Sequence, residues 1–234
     1  MKPLMYANPE GERLPTWNPH PGCEFACSYC YGPGQYACRG KCDKCKAYKP
    51  HFHQERMKQK FKAGKTYFIE SLGDPSFIPP DIFQQILDHL AEFPDTRFML
   101  QSKNPIYFRD FKFSKNVLFG TTIETDIDDL ARCYSKAPGP LLRANGLWLV
   151  KQEQQSKIYL TIEPVMVFDY LKMMRIVEFL KPAEIYIGRD NHSNKLPEPS
   201  EEYLMNLVEE LEKVIGKEYV HRKTLGLAWW EKNK

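Results

Sequence analysis

Thr16-Trp-Asn-Pro-His-Pro-Gly-Cys-Glu-Phe-Ala-Cys-Ser-Tyr-Cys-Tyr31 decides how the rest of the chain is read. Within it, Cys23, Cys27 and Cys30 stand in the spacing C-x3-C-x2-C. Three thiolates on one tight loop can bind three irons of a cubane cluster, which leaves the fourth iron without a protein ligand. An open iron suits chemistry on a bound molecule, whereas a closed structural zinc site needs a fourth ligand.

A second triad follows at once. Cys38, Cys42 and Cys45 repeat the C-x3-C-x2-C spacing, and His51 and His53 come shortly after. Six of the seven cysteines therefore lie between Cys23 and Cys45. A secreted disulfide scaffold spreads its cysteines to staple distant segments, so this clustering reads as metal ligation. The second triad admits an auxiliary iron–sulfur cluster, structural zinc completed by His51 or His53, or free thiols. The remaining cysteine, Cys133, reads as a buried free thiol, with hydrogen-atom donation to a substrate radical as the functional alternative.

Downstream of this loop-like start the rhythm becomes regular. Residues 66–71 (TYFIES), 97–101 (RFMLQ), 117–123 (VLFGTTI), 157–163 (KIYLTIE) and 183–187 (AEIYI) read as strands. Helical patterns occupy residues 82–93, 126–134, 170–180 and 200–215. Ser200 suits the cap of the last helix, Glu201 and Glu202 its first turn, and Gly216 its end. Alternating strands and helices predict a parallel sheet, as a barrel, part-barrel or doubly wound open sheet. Functional residues of a barrel gather at the carboxyl ends of its strands. Polar residues stand at those ends here: Glu70, Gly73 and Asp74; Ser102 and Lys103; Thr122 and Glu124; Glu163; Arg189 and Asp190. Together they predict one shared pocket, in which Glu163 can pair with Lys103 or Arg189, and Arg189, Asp190, Asn191 and His192 can bind substrate. Trp229 and Trp230 are expected to pack a final segment onto the barrel.

The Cys23–Cys27–Cys30 triad, with Tyr29 before its last cysteine, resembles the signature of the radical S-adenosylmethionine (SAM) superfamily. The wider stretch from Thr16 to Tyr31 is similar to a phage- and prokaryote-associated branch, itself distantly similar to spore photoproduct lyase. Ser71-Leu-Gly-Asp-Pro75, Leu100-Gln-Ser-Lys-Asn-Pro105, Gly120-Thr-Thr-Ile-Glu124, Thr161-Ile-Glu-Pro164 and Arg222-Lys-Thr-Leu225 resemble that branch in the same order. The resemblance implies a partial (β/α)6 TIM-like barrel with an N-terminal cysteine-rich, cluster-binding loop. It makes residues 1–234 a single domain, with 36–60 as a cysteine- and lysine-rich insertion. It implies a 4Fe–4S cluster on Cys23, Cys27 and Cys30, with SAM chelated at the open iron and cleaved to a 5′-deoxyadenosyl radical. Tyr29 is then expected near the adenine, Gly73 and Asp74 at the methionine amino group, Lys103 at the methionine carboxylate, and Thr122 and Glu124 at the ribose. Ser71-Leu72-Gly73-Asp74 departs from the family's Gly-Gly-Glu run by keeping one glycine and a shorter acid. A reducing partner such as a flavodoxin or ferredoxin is also implied.

Composition sets the outer bounds. The chain has 234 residues, 42% hydrophobic and 27% charged, as in ordinary globular proteins. No apolar run reaches the length of a membrane span. Residues 1–12 are polar and lack a secretory core, so a cytoplasmic location is expected. Net charge is only +3, yet ten Lys or Arg residues lie between Arg39 and Lys65 against Asp43 and Glu55. That segment suits a polyanion such as nucleic acid as readily as it suits a solvated surface. Competing functions are a non-catalytic zinc-binding nucleic-acid module built on both triads, and an inactive scaffold.

Overall fold

The computed structural model describes residues 14–232 and, for residues 36–39, the backbone alone. Residues 1–12, read above as a polar start, lie outside the described residues. The strands are β1 (Thr16–Trp17), β2 (Thr66–Ile69), β3 (Arg97–Gln101), β4 (Val117–Thr122), β5 (Ile158–Ile162), β6 (Glu184–Ile187) and β7 (Val220–Arg222). They form one sheet in the order β1-β2-β3-β4-β5-β6-β7, with every neighbouring pair parallel. A doubly wound sheet reverses its strand order at a switch point. This sheet never does, so it curls as a partial barrel. The two outermost strands, of two and three residues, add one to the expected six.

The helices are α1 (Gly32–Arg39), α2 (Asp43–Lys46), α3 (Pro80–Ala91), α4 (Asp128–Tyr134), α5 (Pro140–Gln154), α6 (Tyr170–Leu180) and α7 (Glu201–Ile215). Ser200 caps α7 by accepting from the Tyr203 N–H, and Gly216 follows its end. Sequence periodicity did not reveal α5, which begins at Pro140 and buries Arg143, Ala144, Leu147 and Val150 along one face.

Alternation along the strands sorts the two faces of the sheet. Ile69, Phe98, Leu100, Phe119, Ile158, Leu160, Ile162, Ile185 and Ile187 point outward into the core shared with α3, α5, α6 and α7. The opposite face starts apolar. Phe68, Met99, Leu118, Tyr159 and Tyr186 pack with Leu14 and plug the barrel interior. Two or four residues further on, the same face turns polar at Glu70, Gln101, Thr122 and Glu163, which line a cavity at the carboxyl ends. Among the described residues no helix is long and apolar enough to cross a membrane.

Candidate cluster and cofactor site

The cavity measures about 310 Å³ and opens over the carboxyl ends of the strands. Cys23, Cys27, Tyr29, Cys30, Gly73, Asp74, Lys103 and Thr122 all line it. The cysteine loop reaches it because it is tied down on several sides. The Gly22 N–H donates to the Leu72 carbonyl at 2.9 Å, and Gly22 and Gly73 form an isolated parallel bridge. The Ser28 N–H donates to the Tyr134 carbonyl and the Lys136 N–H to the Phe25 carbonyl, anchoring the loop to the end of α4. The Tyr31 hydroxyl donates to the Ser71 carbonyl.

The three thiols are free and half-buried. Cys27 Sγ lies 3.0 Å from Ser135 Oγ, and Cys30 Sγ lies 3.9 Å from the Tyr48 hydroxyl. Burial pushes the Cys23 thiol far up, with the Asp74 carboxylate adding to it, and burial likewise raises the Cys30 thiol. Such thiols become thiolates when a cation replaces their protons. Among the described residues the one set of three or more potential ligands gathered within 4.8 Å lies elsewhere. Cys23, Cys27 and Cys30 are not in that set; all three line the cavity instead. The donor set fits a three-thiolate cubane.

The polar wall is built from the strand exits. Asp74 caps a short 3₁₀ turn, accepting from the Ser76 N–H and hydroxyl through Oδ1. It also accepts from the Ser102 hydroxyl at 2.7 Å and the Lys103 N–H at 2.8 Å, which joins the ends of β2 and β3. Lys103 Nζ donates to the Tyr29 hydroxyl at 2.8 Å and pairs with Glu124 Oε1 at 3.0 Å. The Tyr29 hydroxyl in turn donates to Glu124 Oε1 at 2.7 Å. Glu124 is fully buried and sits behind the wall, where Arg143 pairs with it at 2.7 Å. Burial alone would raise the Glu124 carboxyl, but Arg143 and Lys103 outweigh it and hold the group well below the carboxylate range. Thr161 donates to Gln101 and Gln101 to Thr122, a hydrogen-bonded chain beneath the cavity. Glu70 accepts from the His20 N–H through Oε1, while its buried Oε2 has no partner among the described residues. Complete burial pushes Glu70 up to about 8. An orphaned buried oxygen on a cavity wall is the kind of group a ligand satisfies.

Other expectations are corrected. Glu163 pairs neither with Lys103 nor with Arg189; it meets Lys223 at 2.5 Å and Asn191 at 3.1 Å. Arg189 turns instead to Glu198 and to the carbonyls of Pro199 and Gly226. Cys133 is exposed, not buried, because α4 presents it to solvent, and it does not line the cavity. Trp229 and Trp230 do fasten the final segment, donating to the Leu196 and Glu198 carbonyls. Tyr48 and Arg143 escaped the sequence reading: Tyr48 carries no motif, and a lone Arg inside an unrecognised helix gives no signal.

In the second cysteine segment the structure brings together Cys42, Cys45, His51 and His53, whose donor atoms all lie within 4.8 Å of one another. Cys38 falls in the last turn of α1, and its side chain lies outside the described residues.

Sequential parallel strands curled into a part-barrel, with polar strand exits and a three-thiol loop across its mouth, are a fold this chain shares with several solved structures. The spore photoproduct lyase complexed with dinucleoside spore photoproduct superposes with a TM-score of 0.60 at 9% identity, covering 87% of this chain and 74% of that one. Streptococcus suis SuiB bound to S-adenosylmethionine gives 0.56 at 12% identity, over 91% of this chain and 48% of that one. A radical SAM methyltransferase from Sphaerobacter thermophilus gives 0.56 at 12% identity, over 89% and 65%. No family model matches the chain, and no curated protein matches it in sequence. The likeness is one of fold, across a wide distance in sequence.

Proposed function

We propose that this chain is a radical SAM enzyme that cleaves S-adenosylmethionine reductively and directs the product radical at a nucleotide or nucleic acid substrate. The observation that carries the reading is three free thiols, spaced as cluster ligands, opening on one cavity at the strand carboxyl ends. Cys23, Cys27 and Cys30 would hold a 4Fe–4S cluster, which when bound would supply the electron for reductive cleavage of SAM. Lys103 offers its ammonium to the methionine carboxylate. Gly73 and Asp74 border the methionine amino group, Tyr29 the adenine and Thr122 the ribose. Glu124 is a positioning residue: it aims Lys103 and Tyr29 rather than touching the ligand. Glu70, protonated at neutral pH, offers a hydrogen-bond donor from the cavity wall.

Two observations support the substrate class. One structural neighbour binds a dinucleoside photoproduct, and Lys41, Lys44, Lys46 and Lys49 are all exposed within the second cysteine segment. Clustered exposed cations are the electrostatic footprint of a polyanion partner. The electron comes from outside the chain, a role that suits a flavodoxin- or ferredoxin-like donor. The test is to reconstitute the protein anaerobically with iron and sulfide, reduce it with dithionite and add SAM. Release of 5′-deoxyadenosine is expected, and Cys30→Ala abolishes it. A protein that takes up only zinc under these conditions would be the non-catalytic module instead.

A further inference from the structure

Four donor atoms converge outside the cavity. Cys42 Sγ lies 3.3 Å from His51 Nε2, and Cys45 Sγ lies 3.4 Å from His51 Nε2 and 3.2 Å from His53 Nε2. Zinc bound at about 2.3 Å from sulfur and about 2.0–2.1 Å from nitrogen gives a tetrahedron whose sulfur–nitrogen edges are about 3.5 Å. The observed separations are edges of that size. The outer partners fit as well. His51 Nδ1 meets the Lys49 carbonyl at 2.7 Å, and His53 Nδ1 meets Glu55 Oε1 at 2.9 Å. Metal-ligating histidines donate their second ring N–H to a carbonyl or carboxylate in this way, which fixes the tautomer and leaves Nε2 free for the ion. The Cys45 N–H points at Cys42 Sγ, as backbone donors do toward metal thiolates.

We propose that Cys42, Cys45, His51 and His53 hold one structural zinc ion, without Cys38, and that this ion braces the loop carrying the iron–sulfur ligands. Four donors within 4.8 Å of one another, three of their sulfur–nitrogen separations of tetrahedral size, suffice to close the coordination sphere, and two of them are imidazoles. A cubane would instead spread its ligands over separate irons.

The bracing follows from the backbone. The His53 N–H donates to the Pro19 carbonyl at 2.8 Å and the His51 N–H to the Pro21 carbonyl at 3.2 Å. Trp17 Nε1 donates to the Arg56 carbonyl at 3.0 Å, and the Arg56 guanidinium returns to the Asn18 carbonyl. The two ligand histidines thus hold the segment leading into Cys23 by their backbone and the ion by their rings. The turn between the ligand pairs lies flat on the cluster loop. A Cβ on Gly22 would stand 2.4 Å from the Lys49 carbonyl carbon, and one on Gly32 would stand 2.2 Å from the Tyr48 hydroxyl. Gly22 gives room for the Lys49–Pro50 backbone, and Gly32 for the Tyr48 ring that reaches Cys30.

The test is metal content of the full chain, followed by zinc-edge X-ray absorption. About one zinc per chain is expected, with a first shell of two sulfurs and two nitrogens. The Cys23→Ala, Cys27→Ala, Cys30→Ala triple variant should lose its iron and keep its zinc, so failure of the cluster reading and failure of this one are separable. Cys38→Ser should keep the zinc, and His51→Ala with His53→Ala should lose it. Removing zinc from wild-type protein with a chelator should speed hydrogen exchange in residues 17–23 together with 42–53. Iron in place of zinc in the triple variant, a shell of three or four sulfurs, or zinc loss in Cys38→Ser would overturn the proposal. So would unchanged exchange in residues 17–23 after zinc removal.

Discussion

Arg143 of α5 and Glu124 beyond the end of β4 form an ion pair at 2.7 Å in which both side chains are all but inaccessible. Through Glu124 the pair reaches Lys103 and Tyr29, both on the cavity wall. A helix on the outside of the barrel thereby sets the geometry of two residues on its inside.

Removing one partner of such a pair leaves the other charge buried and uncompensated, at a cost of about 3–5 kcal/mol. Arg143→Ala should lose stability on that scale in urea denaturation. The loss should shrink in acid. Because the folded-state pKa of Glu124 is depressed, its stabilisation is present above the ordinary carboxylate range and fades as pH falls through the folded value. A pH-independent loss would show that Arg143 acts through packing alone.

Lys103→Ala should keep the full iron content and weaken SAM binding by about tenfold or more, the loss expected for about 1.4 kcal/mol of a charge-assisted hydrogen bond. Isothermal titration of the reconstituted protein measures it. Unchanged affinity would place the methionine carboxylate elsewhere.

Glu70 gives a pH signature of opposite sign to that of Glu124. Burial raises it from 4.5 to about 8, so the folded chain holds a proton that the unfolded chain has lost. The stabilisation is complete below about 4.5, and it fades as pH rises until the folded group ionises near 8. In this window Glu70 contributes a fall of about 1.4 kcal/mol per pH unit. Urea denaturation of the reduced, metal-free chain should show that slope, and Glu70→Gln should flatten it. A variant with the wild-type slope would assign the titration to another group.

Much of this arrangement was legible in the sequence, for identifiable reasons. Residues 97–101 were read as a strand and are β3, because RFMLQ is short, apolar and bounded by turns. Residues 170–180 and 200–215 were read as helices from their apolar stripes and, for the second, from Ser200 and Gly216, which frame it in the structure. Helix α5 was missed because Arg143 occupies a core position, where periodicity registers a polar interruption. Strands β1 and β7 are too short to carry any period. The polar strand exits were legible as one pocket, but Glu124 lies behind the wall and Glu163 chose Lys223, both settled by contacts between residues far apart in the chain. The same holds near Cys42: spacing nominated three cysteines and either histidine, and among the described residues folding gathers Cys42 and Cys45 with both imidazoles.

The central claim is that three thiolates leave one iron of the cluster open to SAM. Electron paramagnetic resonance of the dithionite-reduced protein tests it directly, recorded with and without SAM labelled with ¹⁵N at its amino group. The account predicts that SAM shifts the cluster's g-values and that the labelled nitrogen shows hyperfine coupling to the cluster. A fully assembled, reduced cluster whose spectrum is indifferent to saturating SAM would contradict it.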